Sequence, residues 1–246
     1  MDKSLYVGLS GATRTMQAQQ VHANNLANLS TTGFRGDFVI SDYVDVGGDG
    51  LASRVLTVPR GVGSNMNSGA VNHTGRSLDV AIAGEGWLSV QDREGNEAYT
   101  RAGDLMVSAE GELRNGAGHP VIGNGGPIDV PAYRKILIGR DGTISVVPAG
   151  GGENQLVQVG QLKLVNPLPG DLFKGEDGLF RRLDGDVAEQ DGAVQLRPEY
   201  LESSNVQAVE EMVDFMNLAR QYEMQLKTMQ NTEQMAASGD RMIRDE

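Results

Sequence analysis

Residues 4–29 read SLYVGLSGATRTMQAQQVHANNLANL, and the spacing of Leu5, Leu9, Ala12, Met16, Gln19, Ala23 and Leu26 alternates between four and three. That period belongs to a helix with a narrow apolar seam. The run ends at Ser30-Thr31-Thr32-Gly33, where hydroxyls compete for backbone hydrogen bonds and glycine can adopt the left-handed conformation that stops a helix. A first helix is therefore expected over about 4–29. Asn24, Asn25 and Asn28 fall late in it, although asparagine is a mediocre helix former. Two readings stay open for them: a solvated face near a fraying end, or amides bonding across packed helices and setting their register.

The other end of the chain repeats the pattern. Val209, Met212, Met216, Ala219, Tyr222, Leu226 and Met229 keep a three-four spacing, and neither glycine nor proline interrupts until Gly239. Ser204 with Gln207 has the form of a capping box, and Glu210 and Glu211 sit where the helix dipole favours acids. The second helix is expected over about 205–237. A few apolar side chains do not offset the cost of ordering so long a lone helix, so each stripe needs a surface. The other terminal helix and the same helices of neighbouring subunits both qualify.

Between the helices the period drops to two. Leu78-Asp79-Val80-Ala81-Ile82 alternates, Gly84-Glu85-Gly86 turns, Leu88 to Val90 resumes, and Asp92-Arg93-Glu94-Gly95-Asn96 makes a polar hairpin loop before Tyr99. Ile136 and Ile138 face Ile144 and Val146 across Asp141-Gly142, a dipeptide favoured in tight type I′ hairpins. Turn signals recur to about residue 200, which predicts a compact antiparallel β domain. Residues 35–75 are less regular, with glycines at 47, 48 and 50 and at 61 and 63, and read as an extended linker and loose hairpin. Gly150-Gly151-Gly152 reads as a loop tip. The fold class is thus α+β, divided into an N-terminal helix (1–33), a linker (34–75), a β-rich domain (76–202) and a C-terminal helix (203–246).

Composition narrows the chemistry. Lys plus Arg number 21 against 33 Asp plus Glu, a net charge of −12 without any basic stripe, which argues against nucleic acid as a partner. The absence of cysteine removes disulfides, thiolate nucleophiles and Cys-ligated metals. No run approaches the ~18 apolar residues of a membrane helix, so a soluble chain without membrane insertion is expected. The start, MDKSLYVGLSGA, has too short an apolar stretch for a cleavable secretion signal. His22, His73 and His119 share no metal-ligand spacing, and the glycine-rich stretches complete neither a phosphate loop nor a dinucleotide fingerprint. No catalytic, cofactor-binding or metal-binding residue emerges, and an enzyme is not expected.

HANNLANLSTTGFRGDF at 22–38 resembles the ANNLANxxTxGF signature of the bacterial flagellar rod and hook family. The likeness continues through SLDVAIAGEGWLSV (77–90), AYTRAGDLMVSAEGEL (98–113), HPVIG (119–123), IGRDGTIS (138–145) and ESSNVQAVEEMVDFMNLARQYEMQLKTMQNTEQM (202–235). The opening SLYVGLSGA favours the proximal-rod members over distal-rod or hook subunits. Trp87 stands where Phe is usual, and Asp104-Leu105 departs from the commoner pair, differences that concern β-domain packing.

The resemblance implies an axial structural protein exported by the flagellar type III apparatus and assembled helically with itself and neighbouring proximal- and distal-rod subunits in the basal body, where the rod crosses the periplasm. It also implies that the terminal helices pair as an inner coiled-coil domain, disordered before assembly, with the β domain outside. The expected assembly seam comprises Leu5, Leu9, Met16, Asn24, Asn25, Leu26 and Asn28 with Val209, Met212, Met216, Ala219, Tyr222, Leu226 and Met229. Phe34 and Phe38, an FxxxF pair after Gly33, read by the same resemblance as an export-gate docking element, or else as anchors of the linker. An alternative of another class, a rod-associated glycan hydrolase, would need a cleft with paired carboxylates.

Overall fold

A computed structural model describes residues 2–45, 55–150 and 155–244 of the chain, which divides into two units. The first comprises residues 1–27, 37–63 and 207–246 and the second residues 28–36 and 64–206. The glycines at 47, 48 and 50 and at 151 and 152 lie outside the described residues.

In the first unit α1 (Asp2–Ala27) is followed by a pair of strands, β1 (Asp37–Asp45) and β2 (Val55–Ser64). β1 alternates, with Asp37, Val39 and Ser41 partly buried and Phe38, Ile40 and Asp42 exposed. Ser41 Oγ accepts a hydrogen bond from Arg14 Nε at 3.1 Å, which ties the inner face of β1 to α1. Two-stranded sheets are marginal alone, so this support is needed.

The second unit runs β3 (Val71–His73), β4 (Val80–Ala83), β5 (Trp87–Gln91), β6 (Glu97–Thr100), β7 (Leu105–Val107) and β8 (Leu113–Asn115). It continues with β9 (Ile122–Gly123), β10 (Gly126–Pro127), β11 (Tyr133–Ile138), β12 (Thr143–Pro148), β13 (Val157–Gln161) and β14 (Leu164–Val165). β15 (Leu172–Lys174), β16 (Phe180–Arg182), β17 (Gln195–Pro198) and β18 (Tyr200–Glu202) complete it, and α2 (Ala208–Arg244) then returns to the first unit. The largest sheet has the order β14-β5-β6-β16-β15, beside a three-stranded β11-β12-β13 sheet and several two-stranded pairs, all antiparallel.

Val80, Leu88, Val90, Leu105, Leu113, Val121, Ile144 and Leu196 fill one core. A second cluster gathers the scarce aromatics: Trp87 lies 4.5 Å from Phe180, and Tyr99 accepts the Ala188 N–H at 2.7 Å on its hydroxyl. Ile136 pairs with Val146 and Ile138 with Ile144, as the alternation predicts. The turn between them differs. Gly139 N–H donates to Thr143 O at 2.8 Å around the three residues Arg140, Asp141 and Gly142, with Gly142 at φ 80°, instead of a two-residue type I′ loop. One residue in the left-handed region suffices for this loop, and Asp141 stabilises it by accepting the Thr143 N–H.

Three helix-end expectations are corrected. Gly33 takes the left-handed conformation at φ 65°, but six residues past the end of α1, in a turn where Phe34 N–H donates to Thr31 O. The capping box does not form, because Ser204 Oγ accepts from Val206 N–H and α2 begins at Ala208. α2 also runs through Gly239 to Arg244, as a single interior glycine costs only about 1 kcal/mol.

Candidate assembly interface

α1 and α2 lie against each other, and four contacts give their sense. A Cβ placed on Gly8 would stand 3.0 Å from Met229 Cγ, and one on Gly11 3.1 Å from Gln225 Nε2. Thr15 Oγ1 donates to Gln225 Oε1 at 3.3 Å, and His22 Nδ1 meets Glu211 Oε2. Rising numbers on α1 meet falling numbers on α2, so the pair is antiparallel.

The packed face of α1 consists of small and polar residues. Gly8, Thr15 and His22 recur every seven residues, as do Gly11, Ala18 and Asn25, and Ala12, Thr15, Ala18 and Asn25 are buried. On α2 the partners Glu211 and Gln225 are spaced by multiples of seven with half-buried Leu218 between them, and Tyr222 and Met229 form the companion row. Glycine and alanine let the helices approach closely, so the contact needs no large side chains from α1.

Asn25 is the polar centre of this face. Its Nδ2 donates to Glu211 Oε1 at 3.0 Å and to Asp37 O at 2.8 Å, while its Oδ1 accepts the Asp37 N–H at 2.8 Å. One amide thereby holds α1, α2 and the start of β1. Of the two readings left open for the asparagines, Asn25 follows the cross-helix one. Asn24 is exposed, and Asn28 lies in the turn after α1, accepting from Thr31 Oγ1 at 3.1 Å.

The structure therefore brings together only part of the expected seam. Asn25 and Met229 lie in the contact, and Leu5, Leu26, Ala219 and Tyr222 are half-buried. Leu9, Met16, Val209, Met212, Met216 and Leu226 are exposed, with Met216 at 46% and Val209 at 77%. Part of the stripe read from hydrophobicity, Leu9 and Met16 on α1 and Met212, Met216 and Leu226 on α2, points away from the contact between the two helices, because the α1 side of that contact is built from small and polar residues such a reading ranks low. The signal that could have found it is the seven-residue recurrence of small residues at positions 8, 11, 15 and 18.

The FxxxF residues lie in separate surroundings. In the second unit Phe34 is half-buried, with Lys174 Nζ 3.9 Å from its ring centroid, and Gly33 is buried. In the first unit Phe38 is half exposed and its ring covers Gly63, where an added Cβ would meet Phe38 Cζ at 2.8 Å.

No group of three or more His, Asp or Glu side chains among the described residues is placed to hold a metal ion. No described helix is long and apolar enough to cross a membrane. What the described residues do offer is an apolar face left exposed on both helices of the pair.

Comparison with known proteins agrees along nearly the whole chain. The family profiles described as flagella basal body rod protein, flagellar hook protein FlgE/F/G D1 domain and flagellar basal body rod FlgEFG protein C-terminal match residues 5–35, 81–146 and 197–242. These define the class as flagellar rod and hook proteins. The chain is 39% identical to the flagellar basal-body rod protein FlgF of Escherichia coli and to that of Salmonella typhimurium, over 99% of each chain. It is 30% identical to the rod protein FlgG of Agrobacterium fabrum, over 96% of this chain and 97% of that one. The chain belongs to the FlgF family of flagellar basal-body rod proteins and is a structural subunit of the basal-body rod. The distal-rod and hook alternative is not favoured.

Proposed function

We propose that this subunit polymerises helically in the proximal rod through the outward faces of α1 and α2, after the two helices have paired within the chain as a short antiparallel coiled coil. The division of labour between helix faces carries the reading. The intrachain contact uses Gly8, Gly11, Thr15, Ala18 and Asn25, while Leu9, Met16, Met212, Met216 and Leu226 stay exposed. Apolar side chains left on both helices of a monomer supply the burial that subunit association requires. Assembled in this way, the subunit forms part of the drive shaft that transmits motor torque, with rod subunits as its partners and no catalytic step.

Delivery by the flagellar type III apparatus belongs to the same proposal, with Phe34 and Phe38 as the docking pair in the unfolded chain. A Phe38→Ala chain secreted normally but absent from the rod would remove Phe38 from that role. The functional division we propose is an inner part at residues 1–33 and 203–246, a connecting segment at 34–75 and an outer β part at 76–202.

The test of the seam is basal-body composition and motility in strains carrying Met216→Asp, Met216→Leu and, as an exposed polar control, Glu223→Lys. A carboxylate forced into a buried apolar contact costs several kcal/mol. Met216→Asp should be exported yet fail to enter the rod, and the other two should swim. Normal swimming by Met216→Asp would exclude this face as the subunit seam.

A further inference from the structure

In the second unit Glu202 is 1% exposed and faces two guanidinium groups. Arg35 Nη1 stands 2.7 Å from its Oε1, Arg101 Nη1 donates to its Oε2 at 3.1 Å, and Gly69 N–H donates to Oε1 at 2.9 Å. Arg101 Nη2 also donates to Gly84 O at 2.8 Å. Both guanidinium groups lie near the Trp87 ring, 6.0 and 5.5 Å from its centroid. Within the buried cluster one carboxylate faces two cations, a positive charge in excess, while exposed Glu85 attracts Arg101 from outside it. Nε, Nη1 and Nη2 of Arg35 and Nε of Arg101 make no hydrogen bond among the described residues, so Arg35 holds Glu202 as an ion pair. Burial pushes the Arg101 guanidinium below its ordinary value; Glu202 pulls it back up and Arg35 pushes it further down.

A buried cluster of this kind contributes little net stability, yet losing one partner is costly because a charge is then left uncompensated. Its position gives that asymmetry a use. Arg35 lies in the segment 28–36 that follows α1, and Glu202 lies just before the segment that leads to α2. The two segments are tied to each other by polar bonds. Gly33 N–H donates to Glu202 O at 2.8 Å, Gly36 N–H to Asn205 Oδ1 at 2.7 Å, and Asn205 N–H to Phe34 O at 3.2 Å. Lys174 Nζ donates to Arg35 O at 2.8 Å. The apolar core around Val90, Leu113 and Ile144 includes none of these residues.

We propose that Glu202, with Arg35 and Arg101, is a charge latch that clasps residues 28–36 to residues 202–205 and releases them as a unit, with the β core still folded, when the Glu202 charge is removed. The latch decides whether the two segments leading into the terminal helices are held together. It is independent of the assembly reading, because it operates within a single unassembled chain.

Amide hydrogen exchange of the full chain tests it, with wild type compared to Glu202→Gln and Arg101→Met. Glu202→Gln keeps the shape but leaves two cations unneutralised. It should speed exchange at Gly33, Gly36 and Asn205 by about tenfold or more, while Val90, Leu113 and Ile144 keep their protection. Arg101→Met removes the surplus cation and keeps the Arg35–Glu202 pair, so exchange at the same three amides should be unchanged or slower. Equal acceleration of the core in Glu202→Gln would make Glu202 part of the core's own cooperative unit and overturn the latch. Unchanged exchange at Gly33 and Gly36 would overturn it too, as would Arg101→Met loosening the clasp as much as Glu202→Gln.

Discussion

Asn25 Nδ2 donates to Glu211 Oε1 at 3.0 Å across the two terminal helices, from a side chain that is 1% exposed. Because the same amide bonds both backbone groups of Asp37, it fixes the register of the helix pair and the start of β1 at once. Asn25→Ala would strand the Asp37 N–H and C=O and one oxygen of the Glu211 carboxylate, whose other oxygen still meets His22, at a cost of about 2 to 4 kcal/mol. Asn25→Asp should cost more, since it sets a second carboxylate against Glu211. Urea unfolding followed by the helical circular-dichroism signal measures both.

Gly8 and Gly11 should respond differently to added side chains. Gly8→Ala meets only the Met229 side chain, at Cγ and Sδ, whose flexibility lets it shift by a few tenths of an ångström, and gains up to about 1 kcal/mol of helix propensity, so it should be neutral or stabilising. Gly11→Leu would displace Gln225, which also bonds Thr15, and force the helices apart at about 1 to 3 kcal/mol. The same unfolding experiment separates the two. A destabilising Gly8→Ala would show that Met229 cannot give way at this end of the pair.

Gly33→Ala should be among the most damaging single changes in the second unit. The residue sits at φ 65°, and an added Cβ would lie 2.3 Å from Arg101 C and 2.5 Å from Ala102 N, backbone atoms that cannot step aside. Strain and overlap together amount to about 2 to 5 kcal/mol. Gly84→Ala, at φ 90° with no atom within 4 Å of the new Cβ, should lose only about 1 to 2 kcal/mol. The single tryptophan, Trp87 in the aromatic core, reports unfolding of this unit for both variants.

Two carboxylates of the second unit should act on stability with opposite sign as pH falls. Burial raises the Asp92 carboxyl, but Arg181 and the N–H groups of Asn96 and Glu94 outweigh it and hold it below its ordinary value. Its stabilisation is thus present above the unfolded carboxylate pKa of about 3.9 and lost as pH drops through the lower folded value. Burial, aided by nearby Asp79, raises Asp104 instead. Asp104 therefore weighs against the fold at neutral pH and ceases to do so in acid. Asp92→Asn should be destabilised at about pH 7 and approach wild type at about pH 3. Asp104→Asn should gain at about pH 7 and lose that gain at about pH 3. Denaturation midpoints at the two pH values decide each sign.

The sequence by itself determined the helix at each end, the β-rich middle and the family. These rest on local signals: a three-four spacing over some twenty residues, alternation such as that pairing Ile136 and Ile138 with Val146 and Ile144, and long motifs in family order. Tertiary structure alone decided which helix faces meet. Hydrophobicity ranks Leu9 and Met16 above Gly8, Gly11 and Ala18, yet close helix approach selects the small residues and leaves the large ones outward. It also decided that β4 pairs with β17, more than a hundred residues away, and that Arg35, Arg101 and Glu202 converge under Trp87. No local pattern encodes such pairings, because the period of a strand says which side chains are buried but not which distant strand buries them, and a charged residue reads as exposed until a partner is folded against it.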